Sequence, residues 1–312
     1  MNKEAKLANY PEIVSAVMRP IFYYDIFDYP LTLEEVVKYA ALPLTVEVVS
    51  QVLAEMQKDS IVKCYEGYYS IANNSKLIDR RKEGNRMAAL MMPKAEKWAK
   101  FVSSFPYVKA VFFSGSLSKN FITPDGDVDY FIIAQEGRLW ICRTLLILFK
   151  KIFLFNNKKY FCVNYFIGES NLTIEEKNIF TATECATMIP VNGNGEVNRF
   201  YESNEWVCNY YPSIPVKTPK DNLNHNPIRT AVEWLLNGRI GELLERRFMN
   251  YTIKHWNKKF NHLSKAELEI AFKSSSNVSK HHPNNFQKRV IEAYKKRATE
   301  LYKNHHIELP SV

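Results

Sequence analysis

Two runs of β-branched and aromatic residues, 108–113 and 128–134, flank a segment that opens with Ser114-Gly115-Ser116 and closes with Gly126-Asp127-Val128-Asp129. Continuous apolar runs of this length read as strands buried on both faces. Carboxylates do not belong in such a strand unless something offsets the cost of burying their charge. Alternation along a strand puts residues i and i+2 on one face, so Asp127 and Asp129 are expected to project together beside the Gly-Ser turn. Two carboxylates so placed repel unless a cation lies between them. Gly115 lets the backbone approach a ligand closely. Ser116 supplies a hydroxyl, and a helix opening after it would aim free N–H groups at phosphate. Mg²⁺ is typically bound by one or two carboxylates plus substrate phosphates. The segment therefore reads as a phosphate cradle facing a divalent-metal site.

This arrangement resembles the nucleotidyltransferase superfamily of the DNA polymerase β type, whose motif is an apolar strand, Gly-Ser, a short helix, then Asp-x-Asp in the next strand. Gly115-Ser116-x-Ser118-Lys119-Asn120 is also similar to the Gly-Ser-x-Ala-Arg-Gly form of the minimal and antibiotic nucleotidyltransferases, with Lys119 for Arg and Asn120 for Gly. The resemblance covers residues 85–170. It implies that Asp127 and Asp129 are the catalytic pair and hold Mg²⁺ (or Mn²⁺). It also implies that Ser114, Gly115, Ser116, Lys119 and Asn164 bind a nucleoside triphosphate such as ATP. The implied reaction transfers a nucleoside monophosphate to a hydroxyl of a small molecule or protein. One departure stands out. Many members supply a third carboxylate from a later strand, and the strand expected at 161–167 carries Asn164 there. Asparagine can hold a water or a nucleotide but cannot accept a proton. Asp125, Glu169 and Glu184 are the alternative carboxylates. All 7 histidines lie at or beyond His225, so a histidine base would have to come from the C-terminal part.

Residues 1–75 read as a small module. A helix is expected over 11–24, Thr32 and Glu35 form a capping-box pair that starts a second, and residues 45–58 carry an amphipathic third. A hairpin turns at Glu66-Gly67. This order resembles a winged helix-turn-helix. DNA binding through residues 45–58 is one reading; the segment carries Glu47, Glu55 and Lys58 but no arginine, which suits a protein contact or structural cap better. Residues 76–105 read as a connecting helix, and residues 76–170 as an α+β catalytic core, a small mixed sheet with flanking helices. Residues 171–312 read as a mainly helical C-terminal region, with helices over 173–188, 203–209, 226–254, 265–272 and 285–302. Pro190, Pro212, Pro215, Pro219 and Pro227 break it up. Glu184 and Asn204 are candidates for an acceptor pocket, against a plainer role as helix caps. Residues 280–303 form a basic amphipathic stretch. A solvated face is its default reading, and an anionic acceptor or nucleic acid the sharper one. His281-His282 is not a metal pair, because adjacent residues on a helix diverge.

Composition narrows the classes. The net charge of +9, from 42 Lys+Arg and 33 Asp+Glu, suits a polyanionic partner. With 46% hydrophobic and 24% charged residues the chain is globular rather than disordered. Only 10 glycines occur, and none forms a dinucleotide or P-loop fingerprint. The 5 cysteines are scattered without a CxxC pair. The N-terminus lacks an apolar signal region, and residues 139–155 are interrupted by Arg143, Lys150 and Lys151. A cytoplasmic protein with no membrane partner is expected. Three functions remain open: a nucleotidyltransferase, a catalytically degenerate nucleotide-binding regulator that uses the winged helix for partner or DNA contact, and a DNA-binding regulator.

Overall fold

The computed structural model describes residues 10–221, 226–261, 263–264, 268, 271–281 and 286–310. The N-terminal stretch before Tyr10, most of the helix expected over 265–272, and His282 lie outside those residues.

The N-terminal part runs α1 (Tyr10–Asp25), β1 (Leu31–Thr32), α2 (Leu33–Tyr39), α3 (Val46–Lys58), β2 (Lys63–Tyr65) and β3 (Tyr68–Ser70), and its strands form a three-stranded sheet in the order β1-β3-β2. The capping box forms as the sequence predicts. Glu35 N–H donates to Thr32 Oγ1 at 3.3 Å and Thr32 N–H donates to Glu35 Oε2 at 3.0 Å. The β2–β3 hairpin turns on Glu66 (φ 51°) and Gly67 (φ 80°). Two consecutive positive φ values match the twist of the flanking strands.

Next come α4 (Lys76–Ser103), β4 (Val108–Ser114), a single 3₁₀ turn (Leu117–Lys119), β5 (Asp129–Ala134), α5 (Leu139–Phe153) and β6 (Cys162–Gly168). The parallel β5–β6 pair is joined by α5, as a parallel connection requires a crossover. The chain continues through α6 (Ile179–Thr187), β7 (Ile189–Gly193), α7 (Gly195–Ser203), a 3₁₀ turn (Glu205–Asn209), α8 (Pro227–Leu235), α9 (Arg239–Lys259), β8 (Ser274–Ser275), β9 (Val278–Lys280) and α10 (Phe286–His305). The result is a mixed α+β fold. Its six-stranded sheet has the order β7-β4-β5-β6-β9-β8, with helices on both faces.

The sheet thus takes strands from beyond residue 170, where a mainly helical region is expected. Pro190 reads as a breaker but sits in β7, opposite Phe112. β7 is an edge strand, where a residue without N–H loses no ladder bond. The helix expected over 173–188 shrinks to α6, the one over 203–209 is a 3₁₀ turn, and the one over 226–254 splits into α8 and α9. No helix among the described residues is long and apolar enough to cross a membrane.

Burial follows the alternation. Val111, Phe113, Tyr130 and Ile132 pack beneath α4 and α5. Phe112, Phe131 and Ile133 face Cys185 and Phe200 on the other side. The N-terminal part packs against the rest of the chain. Val17, Tyr24 and Leu53 share a core with Ala182 of α6 and Tyr294 of α10. Arg81 of α4 clamps it further. The side chain is 3% exposed. Its Nη1 donates to Pro30 O at 2.7 Å and its Nη2 to Glu35 Oε1 at 2.6 Å, and its guanidinium lies 3.6 Å from the Tyr29 ring centroid.

Candidate functional site

The site grows from the end of β4. Gly115 follows Ser114 with φ +62°, and a Cβ placed there would lie 2.4 Å from Asp129 Oδ2. The position therefore demands glycine twice, for backbone conformation and for space. The expected helix after Gly-Ser is only the turn Leu117–Lys119, ended by Asn120 in the left-handed region (φ 56°). Too short to act as a helix end, it presents a compact loop instead. Ser118 Oγ donates to Gly115 O at 2.8 Å, and Lys119 Nζ donates to the same carbonyl at 3.1 Å. Tyr29 of the N-terminal part donates its hydroxyl to Lys119 O at 2.6 Å, fixing the loop from the outside. Gly84 of α4 meets Phe121 face to face, where a Cβ would lie 2.1 Å from Phe121 Cε2, and its carbonyl accepts from Ile122 N–H at 3.2 Å.

Asp129 opens β5, opposite Ser114 on one side and Cys162 on the other. Asn164 Nδ2 donates to Asp129 Oδ1 at 2.9 Å. Burial pushes the Asp129 carboxyl up to about 6; hydrogen bonds from Cys162 and Asn164 oppose the shift, and the charges of Asp127 and Glu184 add to it. Burial, with Asp129 beside it, holds the Cys162 thiol well above the usual range, so it stays protonated. Asp127 departs from expectation. The strand starts at Asp129, and Asp127 lies on the preceding loop, ahead of Val128, whose N–H already donates to Lys159 O at 2.9 Å. Its charge is felt by Asp129, but the residue does not line the cavity described next.

All the other candidate residues do. Ser114, Gly115, Ser116, Lys119, Asp129 and Asn164 line one cavity of about 650 Å³, within the range of small-molecule sites. Its floor is the sheet face carrying Phe131 and Tyr165; α6 supplies Thr181, Glu184 and Cys185, and Met188 follows at the helix end. The turn at 26–29 and Arg80 close the N-terminal side, and Lys280 and Gln287 lie at the C-terminal side. Arg80 and Gln287 are residues that sequence reasoning missed, and Lys280 entered it only as one member of the basic stretch 280–303. Arg80 and Lys280 sit in basic runs indistinguishable from a solvated face, and Gln287 carries no motif.

Glu184 lines the same cavity. Its Oε1 accepts from Lys119 Nζ at 2.9 Å. The other carboxylate alternatives are not at the site. Glu169 lies past the end of β6, where it accepts from Glu136 N–H at 3.2 Å and faces Lys109 at 3.7 Å, and Asp125 is absent from the cavity lining. Asn204 is fully used elsewhere. Its Oδ1 accepts from Ile174 N–H at 2.8 Å, and its Nδ2 donates to Leu172 O and Phe200 O, each at 2.8 Å. It ties the loop before α6 to α7 and is no acceptor-pocket residue.

The donor set bears on a metal. Asn164 Oδ1 is buried and accepts no hydrogen bond, on the same amide whose Nδ2 reaches Asp129. A buried carbonyl oxygen without a donor is an anomaly that a hard cation would relieve, since such cations take oxygen ligands. Asp129, that amide oxygen and the nearby Asp127 charge fit a Mg²⁺ that takes its remaining ligands from substrate and water. Among the described residues no group of three or more His, Cys, Asp or Glu stands ready to hold a metal by itself.

Compared with protein families, with curated proteins and with solved structures, the chain finds no match.

Proposed function

We propose that this protein is a Mg²⁺-dependent nucleotidyltransferase with a core of the DNA polymerase β type and a winged-helix-like N-terminal module. It moves a nucleoside monophosphate from a nucleoside triphosphate such as ATP to a hydroxyl of a small molecule or protein. The observation that carries the reading is the Gly115–Asp129 contact. The glycine of the Gly-Ser turn lacks a side chain where the second aspartate of Asp-x-Asp places its carboxylate.

Each residue then has a task. Ser114, the Gly115 turn and Ser116 grip the β- and γ-phosphates, and Lys119 adds a point charge. Asp129 and Asn164 Oδ1 would hold the metal, with Asp127 adding its charge from the preceding loop, and the metal when bound neutralises charge on the phosphates. The acceptor oxygen attacks the α-phosphorus, the bond to the β-phosphate oxygen breaks and pyrophosphate leaves. Lys119 leaves Glu184 for the incoming phosphate, and the freed Glu184 takes the acceptor proton. The test is calorimetric titration with ATP in the presence and absence of Mg²⁺. Mg²⁺-dependent binding should weaken by at least about 10-fold in Asp129→Asn. Unchanged affinity would overturn the assignment.

Asn164 supports a second reading. With an amide at the position where many members carry a third carboxylate, the core suits a nucleotide-binding regulator that acts through its N-terminal module. Tight Mg²⁺-ATP binding without any group transfer would favour it. Because α3 lacks arginine, a protein partner fits that module better than DNA.

A further inference from the structure

The cavity has a second end that the nucleotide chemistry leaves unexplained. β9 adds to β6 with Lys280 opposite Tyr165. The Lys280 side chain is buried, at 6% exposure, and its ammonium lies 5.8 Å from the Tyr165 ring centroid. Its Nζ donates to Gln287 Oε1 at 3.1 Å. An ammonium has three protons to place, and a neutral amide oxygen does not offset a buried charge. Among the described residues no carboxylate lies within ion-pair distance of it. Glu176 acts on it from beyond ion-pair distance and is shared with Lys273, which it meets at 3.1 Å. The cation therefore lines the cavity with no carboxylate in direct contact.

Sheet geometry sets how far this end is from Asp129. Lys280 lies two strands across and two residues along, about 12 Å between Cα atoms at the usual strand spacing and rise. Between the two, the floor is the aromatic pair Phe131 and Tyr165, with centroids 5.0 Å apart. Phe180, Cys185 and Met188 face them. The space thus has a cationic end, a flat apolar middle and the Asp129 end. A nucleobase has no negative charge to offer the ammonium, and the triphosphate is already matched by the Gly115 turn and Lys119.

We infer that Lys280 and Gln287 bind the carboxylate of an aromatic acceptor, whose ring lies on Phe131 and Tyr165 and whose hydroxyl points toward Asp129. The word acceptor rests on the nucleotidyltransferase reading, whereas the carboxylate subsite rests on the cavity alone. Lys280 is a binding residue here, not a catalytic one.

The probe is 4-hydroxycinnamate, titrated calorimetrically into the full-length protein beside its methyl ester, with Mg²⁺-ATP titrated separately. The acid should bind, and the ester should bind roughly 10- to 100-fold more weakly, the value of a charge-assisted contact. Lys280→Met should lose the acid to a similar extent, Lys280→Arg should retain it, and both should leave Mg²⁺-ATP affinity unchanged. The inference is overturned if acid and ester bind alike, if the acid does not bind, or if Lys280→Met weakens Mg²⁺-ATP as much as the acid. The ester comparison needs no variant, so it stands even where Lys280→Met does not fold. Acid binding without any Mg²⁺-ATP binding would keep the subsite and sink the nucleotidyltransferase reading instead.

Discussion

Asn164 donates its amide N–H to the Asp129 carboxylate at 2.9 Å while its own carbonyl oxygen is buried without a partner. One end of the amide bonds the aspartate, and under the proposed function the other would meet the metal. Asn164→Ala removes both. It should weaken Mg²⁺-dependent nucleotide binding by about 10- to 100-fold, as losses next to a metal commonly do. Asn164→Asp should keep the binding. Titration of each variant with Mg²⁺-ATP checks this.

Gly115 is the position least tolerant of change. Gly115→Ala meets both an unfavourable φ of +62° and a clash with Asp129 Oδ2. Its cost should be about 1–3 kcal/mol of stability, accompanied by loss of nucleotide binding. Urea unfolding and calorimetry measure the two effects separately.

The Asp129 carboxyl, pushed up to about 6 by burial, links pH to both stability and binding. The folded carboxyl holds its proton more tightly than the unfolded one. Its contribution to stability is therefore fully present below the unfolded value and is lost as pH rises through about 6. Asp129→Asn should then stabilise the unliganded protein at pH 7, by on the order of 1–2 kcal/mol because the carboxyl is partly open to the cavity. Mg²⁺-nucleotide binding runs the opposite way, strengthening as pH rises through that value. Thermal melts and binding isotherms between pH 5 and 8 test both slopes.

Lys119 and Glu184 form an ion pair in the cavity, with Nζ 2.9 Å from Oε1. Lys119→Gln should weaken nucleotide binding by about 10-fold. Glu184→Gln should leave binding intact and lower transfer by about 100-fold, the usual worth of a positioned base. Equal effects on binding from both substitutions would deny Glu184 the role of base.

Much of the site is legible in the sequence because it depends on local patterns. The apolar runs that become β4 and β5, the Gly115 turn between them and the Thr32–Glu35 capping box are written in neighbouring residues. What is not legible depends on distant chain. Pro190 looks like a breaker until β7 is known to lie at a sheet edge. β8 and β9 are too short to show a period. Lys280 looks like one more surface lysine until β9 carries it to the cavity. The strand start is a different matter: β5 begins at Asp129, so Asp127 sits on the loop just ahead of it, a boundary the apolar run does not mark.

The most direct test of the central claim follows the label. The protein is incubated with Mg²⁺, ATP labelled at either the α- or the γ-phosphate, and a mixture of hydroxyl-bearing metabolites and proteins. The expected result is transfer of the α-label with release of pyrophosphate, absent in Asp129→Asn. Transfer of the γ-label, no transfer at all, or α-label transfer that survives Asp129→Asn would contradict it.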